Sequence, residues 1–183
     1  LAYQVHRFLQ ERGFLYVHTP IITANDCEGA GAMFQVTTFN LEQPAQLPYA
    51  ANGAVDHSKD FFGAKTALTV SGQLEGETYA CALGDIYTFG PTFRAENSNT
   101  RRHLSEFWMI EPEMAFADLD DDAALAQDFL RHLFRSVLET CSEDLGFFEK
   151  RVLPGVIGRL TRLAEATFGR VTYTEAVRLL EQS

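Results

Sequence analysis

Two strand-like runs, residues 87–96 and 105–116, are separated by a short polar loop, and they commit this chain to an antiparallel strand pair. A strand repeats every two residues, so Arg94 and Glu96 project to one face while Phe93 and Ala95 project to the other. On the second run Phe107, Met109 and Glu111 share a face, and Trp108 and Ile110 take the opposite one. Asn97-Ser98-Asn99-Thr100 supplies turn chemistry, and the same loop carries Arg101, Arg102 and His103. Pairing the runs gathers Arg94, Glu96, Phe107 and Glu111 onto one surface. Burying such a surface without partners costs on the order of 1–3 kcal/mol for each unsatisfied polar group. It therefore either meets a ligand or lies open to water with ordinary Arg–Glu pairs across a sheet face. A fitting ligand would offer a polyphosphate, a flat base and a small polar group.

Around this pair the pattern is α+β. Residues 1–12 read as a helix with Val5, Phe8 and Leu9 inward and Gly13 as its C-terminal cap. A strand over 14–17 stops at Thr19-Pro20. Residues 28–32 are short in side chains and suit a loop able to move. Strand character returns over 33–39, and 41–63 is a polar insertion bearing Pro and Gly whose order the sequence leaves open. A strand over 67–70 and a helix over 76–83 capped by Gly84 lead to two strands near 86–89 and 92–96, then the long run 105–116. Beyond it, 121–140 is a helix with Leu125, Phe129, Leu133, Phe134 and Val137 in one stripe. A second helix covers 156–168, and Thr172 with Glu175 forms a capping box for a third. His132 reads as a surface or packing histidine.

Composition narrows the class. Hydrophobic residues make up 46% and aromatics 12%, enough to fill the core of one sizeable domain. Cys27, Cys81 and Cys141 are odd in number and lack metal-ligand spacing, so a reduced, cytoplasmic protein with no metal site of its own is expected. No apolar run reaches membrane-spanning length, and no membrane partner is expected. The net charge of −10 gives no overall positive field for a nucleic acid. Much of that charge, Asp118, Asp120, Asp121 and Asp122, lies where a helix N-terminus favours it. The chain opens at Leu1 already in an amphipathic pattern, as though cut from something longer.

Phe93-Arg94-Ala95-Glu96 followed by Arg102-His103-Leu104-Ser105-Glu106-Phe107 resembles motif 2 of the class II aminoacyl-tRNA synthetases, in the wording of the aspartate/asparagine/lysine subgroup. Phe14-Leu15-Tyr16-Val17-His18-Thr19-Pro20-Ile21-Ile22 resembles motif 1. Cys27-Glu28-Gly29-Ala30-Gly31-Ala32-Met33-Phe34 resembles the mobile loop that closes over the amino acid, and Leu68-Thr69-Val70-Ser71-Gly72-Gln73-Leu74 the strand that holds its amino group. The resemblance implies a partial catalytic domain over 1–183, with motif 1 at about 1–22, the mobile loop at 26–33, the insertion at 41–63, motif 2 at about 87–116 and a helical segment at 121–183. The fold it implies is a class II synthetase-like antiparallel sheet flanked by helices. That sheet is incomplete, because nothing resembling motif 3 precedes Ser183.

The resemblance also implies roles. Arg94 would contact the α-phosphate of ATP and the substrate carboxylate and stabilise charge developing in the reaction. Phe107 would stack on adenine, Glu96 would contact the nucleotide or the terminal adenosine of tRNA, and Arg102 and His103 would reach the outer phosphates. Ser71, Gln73 and Glu28 would hold the α-amino group, and Glu111 would read the side chain. Aspartyl enzymes carry a Lys shortly after the Ser-x-Gln triplet, where this chain has Gly76. Without that cation a side-chain carboxylate is poorly served, and Glu111 accepts from an amide but repels a carboxylate. Asparagine is thus favoured over aspartate.

The activity implied is ATP-dependent activation of asparagine and its transfer to tRNA(Asn), with Mg2+ held by residues outside this chain, and the 183 residues alone are expected to be inactive. In the family, motif 1 builds a two-fold interface, so a homodimer is expected. Two other readings remain at this point. One is an ammonia-dependent asparagine synthetase on the same scaffold, and the other is a non-enzymatic dimerisation module.

Overall fold

The computed structural model describes residues 1–183 apart from Glu28, Ala30, Gly31, Asn99 and Ser183. The chain divides into two compact units, Leu9–Phe116 and Leu1–Phe8 together with Ala117–Ser183. Helix α1 (Ala2–Glu11) contributes to both. Its inward positions are those of the apolar period, with Val5, Phe8 and Leu9 at most 2% exposed, and Gly13 ends it at φ 87°.

The Leu9–Phe116 unit holds two three-stranded sheets. One is built from β1 (Leu15–Tyr16), β5 (Ile86–Phe93) and β6 (Glu106–Glu113), with β5 in the centre. β5 and β6 pair antiparallel from Ile86↔Glu113 to Phe93↔Glu106, as the alternation predicts. β1 joins β5 in parallel, Leu15↔Ile86, and adds a parallel edge to the antiparallel β5–β6 pair of the expected α+β fold. The other sheet, β2 (Ile22–Thr23), β4 (Thr66–Leu68) and β3 (Gln35–Val36) in that order, is antiparallel throughout. Helix α2 (Gln73–Leu83) connects β4 to β5. β5 is the core strand, and Ile86, Tyr87, Thr88, Phe89 and Thr92 are all buried.

Gly90-Pro91 does not divide this strand in two, contrary to the sequence reading. The Arg94 N–H reaches Ser105 O at 3.0 Å across the β5–β6 pair, whereas the Phe93 N–H turns the other way to Thr69 O at 2.8 Å. Strand N–H groups alternate in direction, so Pro91 shares Phe93's side and removes no rung from the β5–β6 ladder. The strand ends at Phe93, which leaves Arg94 and Glu96 just beyond it. β6 ends at Glu113 rather than Phe116, whose φ of 65° breaks the extended chain. α2 begins at Gln73, three residues before the expected start, so that Gly76 lies inside the helix. Gly76 faces β5, where a Cβ would make ordinary contact with Ile86 Cδ1 at 3.6 Å, and the glycine carries some cost in helix propensity.

The 41–63 insertion contains two short 3₁₀ turns, Pro44–Gln46 and His57–Lys59, and a bridge between Tyr49 and Val55. Asp60 closes it onto the end of β3. Its carboxylate accepts the Thr37 hydroxyl, the Thr38 N–H (3.0 Å) and hydroxyl (2.7 Å), and the Phe61 N–H (2.8 Å). These bonds, the Thr37 hydroxyl foremost, hold the Asp60 carboxyl well below the usual carboxylate range.

The other unit is helical, with α3 (Leu119–Thr140), α4 (Ser142–Arg151), α5 (Val156–Glu165) and α6 (Tyr173–Glu181). The acidic run caps α3: Asp118 accepts from the Asp120 and Asp121 N–H groups, and Asp121 accepts back from the Asp118 N–H. His132 is a packing histidine, 5.2 Å from the Phe8 ring and 3.2 Å from Gln4 Oε1. α4 was missed, although Ser142-Glu143-Asp144 at its start and Lys150-Arg151 at its end are ordinary helix signals. Its Glu149 caps α5 through the Gly155 and Ile157 N–H groups, at 2.7 and 3.0 Å. Thr172 caps α6 by accepting the Glu175 N–H at 3.2 Å, while the Glu175 carboxylate pairs with Arg178.

A carboxyl with a depressed pKa stabilises the fold above its unfolded value and loses that contribution as pH falls through the folded one. Asp60→Asn should therefore lower the melting temperature at pH 7 and weaken the loss of stability below about pH 4. Calorimetry at pH 7 and pH 3 checks both, and unchanged melting at pH 7 would refute the role given to Asp60.

Candidate active site

The end of β5, the start of β6 and the loop between them enclose a cavity of about 440 Å3, lined by Arg94, Glu96, Arg102, His103 and Phe107 with Ser98, Leu104 and Ser105. The rung from Arg94 to Ser105 extends the register by one residue, and so Arg94 falls on the face of Thr92 and Phe107. Its guanidinium carbon lies 5.8 Å from the centre of the Phe107 ring. The Thr92 hydroxyl donates to Phe107 O at 3.3 Å and ties the two strands together beside the cavity. In the loop, Thr100 contacts His103 Nδ1 through its hydroxyl and accepts the Arg102 N–H at 3.3 Å. Two guanidinium groups and an imidazole thus surround an aromatic ring beside one carboxylate. Such a set suits an anion attached to a flat heterocycle.

Glu111 stands elsewhere on the same face. The register pairs Phe107 with Thr92, Met109 with Gly90 and Glu111 with Thr88, so four residues of strand, about 13 Å, separate Phe107 from Glu111. Gly90 has no side chain to fill the interval. Glu111 lines a separate, smaller cavity of about 20 Å3 together with Thr19, Gly72 and Thr88, space for about one water molecule. The four residues expected on one surface therefore share a face of the sheet region but divide between two recesses.

Glu111 is bonded into the protein on both oxygens. It accepts the Ser71 hydroxyl on Oε1, and the Gly72 N–H (3.1 Å) and Thr88 hydroxyl (2.8 Å) on Oε2. Ser71 is 1% exposed and reaches the site through this bond. Gln73, exposed at the first turn of α2, donates its side-chain amide to Glu77 at 3.1 Å and its N–H to Ser71 Oγ at 3.0 Å. Glu28 lies outside the described residues. The Gly76 position faces the sheet, and a Cβ there would lie 3.8 Å from both Thr88 Cγ2 and Glu113 Cγ. Sequence reasoning missed Thr88 and Gly72. Period-two alternation from Arg94 would have put Thr88 on the inward face, but Gly90-Pro91 was taken to end that strand.

Gly72 is fixed by space. A Cβ there would meet Thr19 Oγ1 at 2.6 Å and Thr88 Oγ1 at 3.0 Å. Gly72→Ala should destabilise the protein by about 1–3 kcal/mol, the usual range for overpacking. Thr19→Ala in the same chain should recover part of the lost melting temperature. No recovery in the double variant would show that the crowding lies elsewhere.

The family described as "tRNA synthetases class II (D, K and N)" matches residues 1–183. The chain is 60% identical over 183 residues to the asparagine--tRNA ligase of Protochlamydia amoebophila and 61% identical to that of Geotalea uraniireducens. It is covered completely in both cases but spans only 38% and 39% of their lengths. Its fold superposes with a TM-score of 0.73 on the asparaginyl-tRNA synthetase of Pyrococcus horikoshii complexed with asparaginyl-adenylate, at 25% identity, covering 99% of this chain and 35% of that one. An Entamoeba histolytica asparaginyl-tRNA synthetase gives 0.70 at 20% identity, a likeness of fold. Matched by the family from end to end, the chain belongs to the class II tRNA synthetases of the D, K and N group.

Proposed function

We propose that the protein carrying this chain activates asparagine with ATP and transfers it to tRNA(Asn). The observation that carries the choice of amino acid is Glu111, a carboxylate with both oxygens anchored and only Gly76 where a balancing cation would stand. A neutral carboxamide supplies a donor to such a group, and a side-chain carboxylate supplies none. Identity of 60–61% to asparagine--tRNA ligases supports the same reading. Among these relatives nothing favours an ammonia-dependent asparagine synthetase or a non-enzymatic module.

In this reading adenine stacks on Phe107, Arg102 and His103 reach the outer phosphates, and Glu96 meets the nucleotide or the tRNA terminus. Arg94, beside the Phe107 ring, neutralises charge at the α-phosphate as the substrate carboxylate attacks. The attacking group is already anionic and needs no general base, so positioning and electrostatics do most of the work. Glu111 reads the side-chain amide. Glu28 and Gln73 serve the α-amino group, with Ser71 acting from behind Glu111. The interval of about 13 Å along β6 leaves room for a nucleotide and amino acid end to end.

Class II synthetases use ATP with Mg2+. Among the described residues no three His, Cys, Asp or Glu side chains converge to hold a metal. No described helix is long and apolar enough to cross a membrane, and the reading places the protein in the cytoplasm. A homodimer through the motif 1 region is part of the same reading. Its support is the pair Leu15 and Tyr16 on edge strand β1, 48% and 45% exposed.

The test is ATP–pyrophosphate exchange by the full-length protein, followed by aminoacylation of tRNA(Asn). Exchange should depend on asparagine, and Arg94→Ala should reduce kcat by about 100-fold or more, as for loss of an oxyanion-stabilising donor. Phe107→Ala should raise the KM for ATP about tenfold with little change in the KM for asparagine. Exchange supported equally by aspartate would overturn the assignment.

A further inference from the structure

A carboxylate has about four lone-pair positions, and in Glu111 three are filled from within the chain. Oε1 takes the Ser71 hydroxyl, while Oε2 takes the Gly72 N–H and the Thr88 hydroxyl. Ser71 is oriented in its turn, because its Oγ accepts the Gln73 N–H at 3.0 Å and leaves its proton for Glu111. Thr88 is 4% exposed and stands directly opposite Glu111 in the β5–β6 register. Its branched side chain fills the space between two glycines. A Cβ at Gly72 would lie 3.0 Å from its Oγ1, and one at Gly76 would lie 3.8 Å from its Cγ2. Branching at Cβ restricts χ1, so the hydroxyl is held toward Glu111. One acceptor position is left over, on Oε1.

We propose that Thr88 is a positioning residue for amino-acid selection, holding Glu111 so that its one remaining acceptor position receives a single N–H of a neutral side-chain amide. Without the Thr88 hydroxyl, the carboxylate keeps the Ser71 hydroxyl on Oε1 and the Gly72 N–H on Oε2, and it presents two open acceptor positions, one on each oxygen, with less to fix its orientation. Water or a differently placed donor satisfies those as well as an amide does, and discrimination falls. The inference rests on the asparagine-activating reading above and adds a residue to which that reading gave no role.

The experiment uses the full-length protein and compares Thr88→Val, Thr88→Ala and Thr88→Ser with the unsubstituted form, by pyrophosphate exchange with asparagine and with aspartate. Thr88→Val keeps the shape and deletes the hydroxyl. It should raise the KM for asparagine about tenfold, the scale of a hydrogen bond to a charged group, and leave the KM for ATP within about twofold. The preference for asparagine over aspartate in kcat/KM should fall by a similar factor, and Thr88→Ser should restore both. Thr88→Ala should show the same loss and replaces Thr88→Val if that variant does not fold. Unchanged asparagine KM and preference in the valine or alanine variant would overturn the role of Thr88, as would an equal rise in both KM values or failure of serine to rescue. If the unsubstituted protein shows no asparagine-dependent exchange, the functional reading fails together with it.

Discussion

The carboxylate of Glu111 joins three segments far apart in sequence. It sits on β6, takes a hydroxyl from Thr88 on β5, and takes a hydroxyl and an N–H from Ser71 and Gly72 at the turn into α2. Hydrogen bonds to a charged acceptor contribute about 1.5–3 kcal/mol each, more than neutral ones, and here they converge where α2 meets the sheet. The turn that starts α2, the register of β5 against β6 and the small residues at 72 and 76 are consistent with one another through this single group. A change in any of them moves the same carboxylate. Structure and recognition are not separable at this position.

The rest of the face follows from what lies along β6. Phe107 and Glu111 are fixed by one strand, and the spacing between them is therefore rigid, while Arg94 hangs from the first residue after β5 and is steadied by the ring beneath it. The guanidinium groups of Arg94, Arg101 and Arg102 and the imidazole of His103 cluster around one loop on a chain whose net charge is −10. A local positive site on an acidic protein gathers anions at short range without a general affinity for polyanions.

Much of this was legible in the residues. Alternation along 87–96 and 105–116 gave the antiparallel pair and the shared face, because a sheet with two differently covered sides imposes the period on its sequence. The buried face of α1 and the capping acids of α3 were readable for equally local reasons. Three things were not. The continuation of β5 through Pro91 depends on which edge the missing N–H faces, and that is set by the register of β5 against β6. The start of α2 at Gln73 places a glycine inside a helix, against propensity, at a buried position that faces Ile86, Thr88 and Glu113. The division of the site into two recesses follows from the four-residue interval along β6 from Phe107 to Glu111, a matter of register. Thr88 was hidden for the same reason, since its importance comes from its cross-strand partner.

Pro91 has one more consequence. Between the rung that Val17 N–H makes to Tyr87 O and the rung that Phe93 N–H makes to Thr69 O, Phe89 O receives the Tyr16 hydroxyl at 3.3 Å, and Phe89, Gly90 and Pro91 line the small cavity shared with His18, Thr19 and Ile21. A backbone N–H aimed into so confined a space needs an acceptor, and proline brings no N–H to satisfy. The same residue that leaves the internal ladder intact thus spares this border a stranded donor.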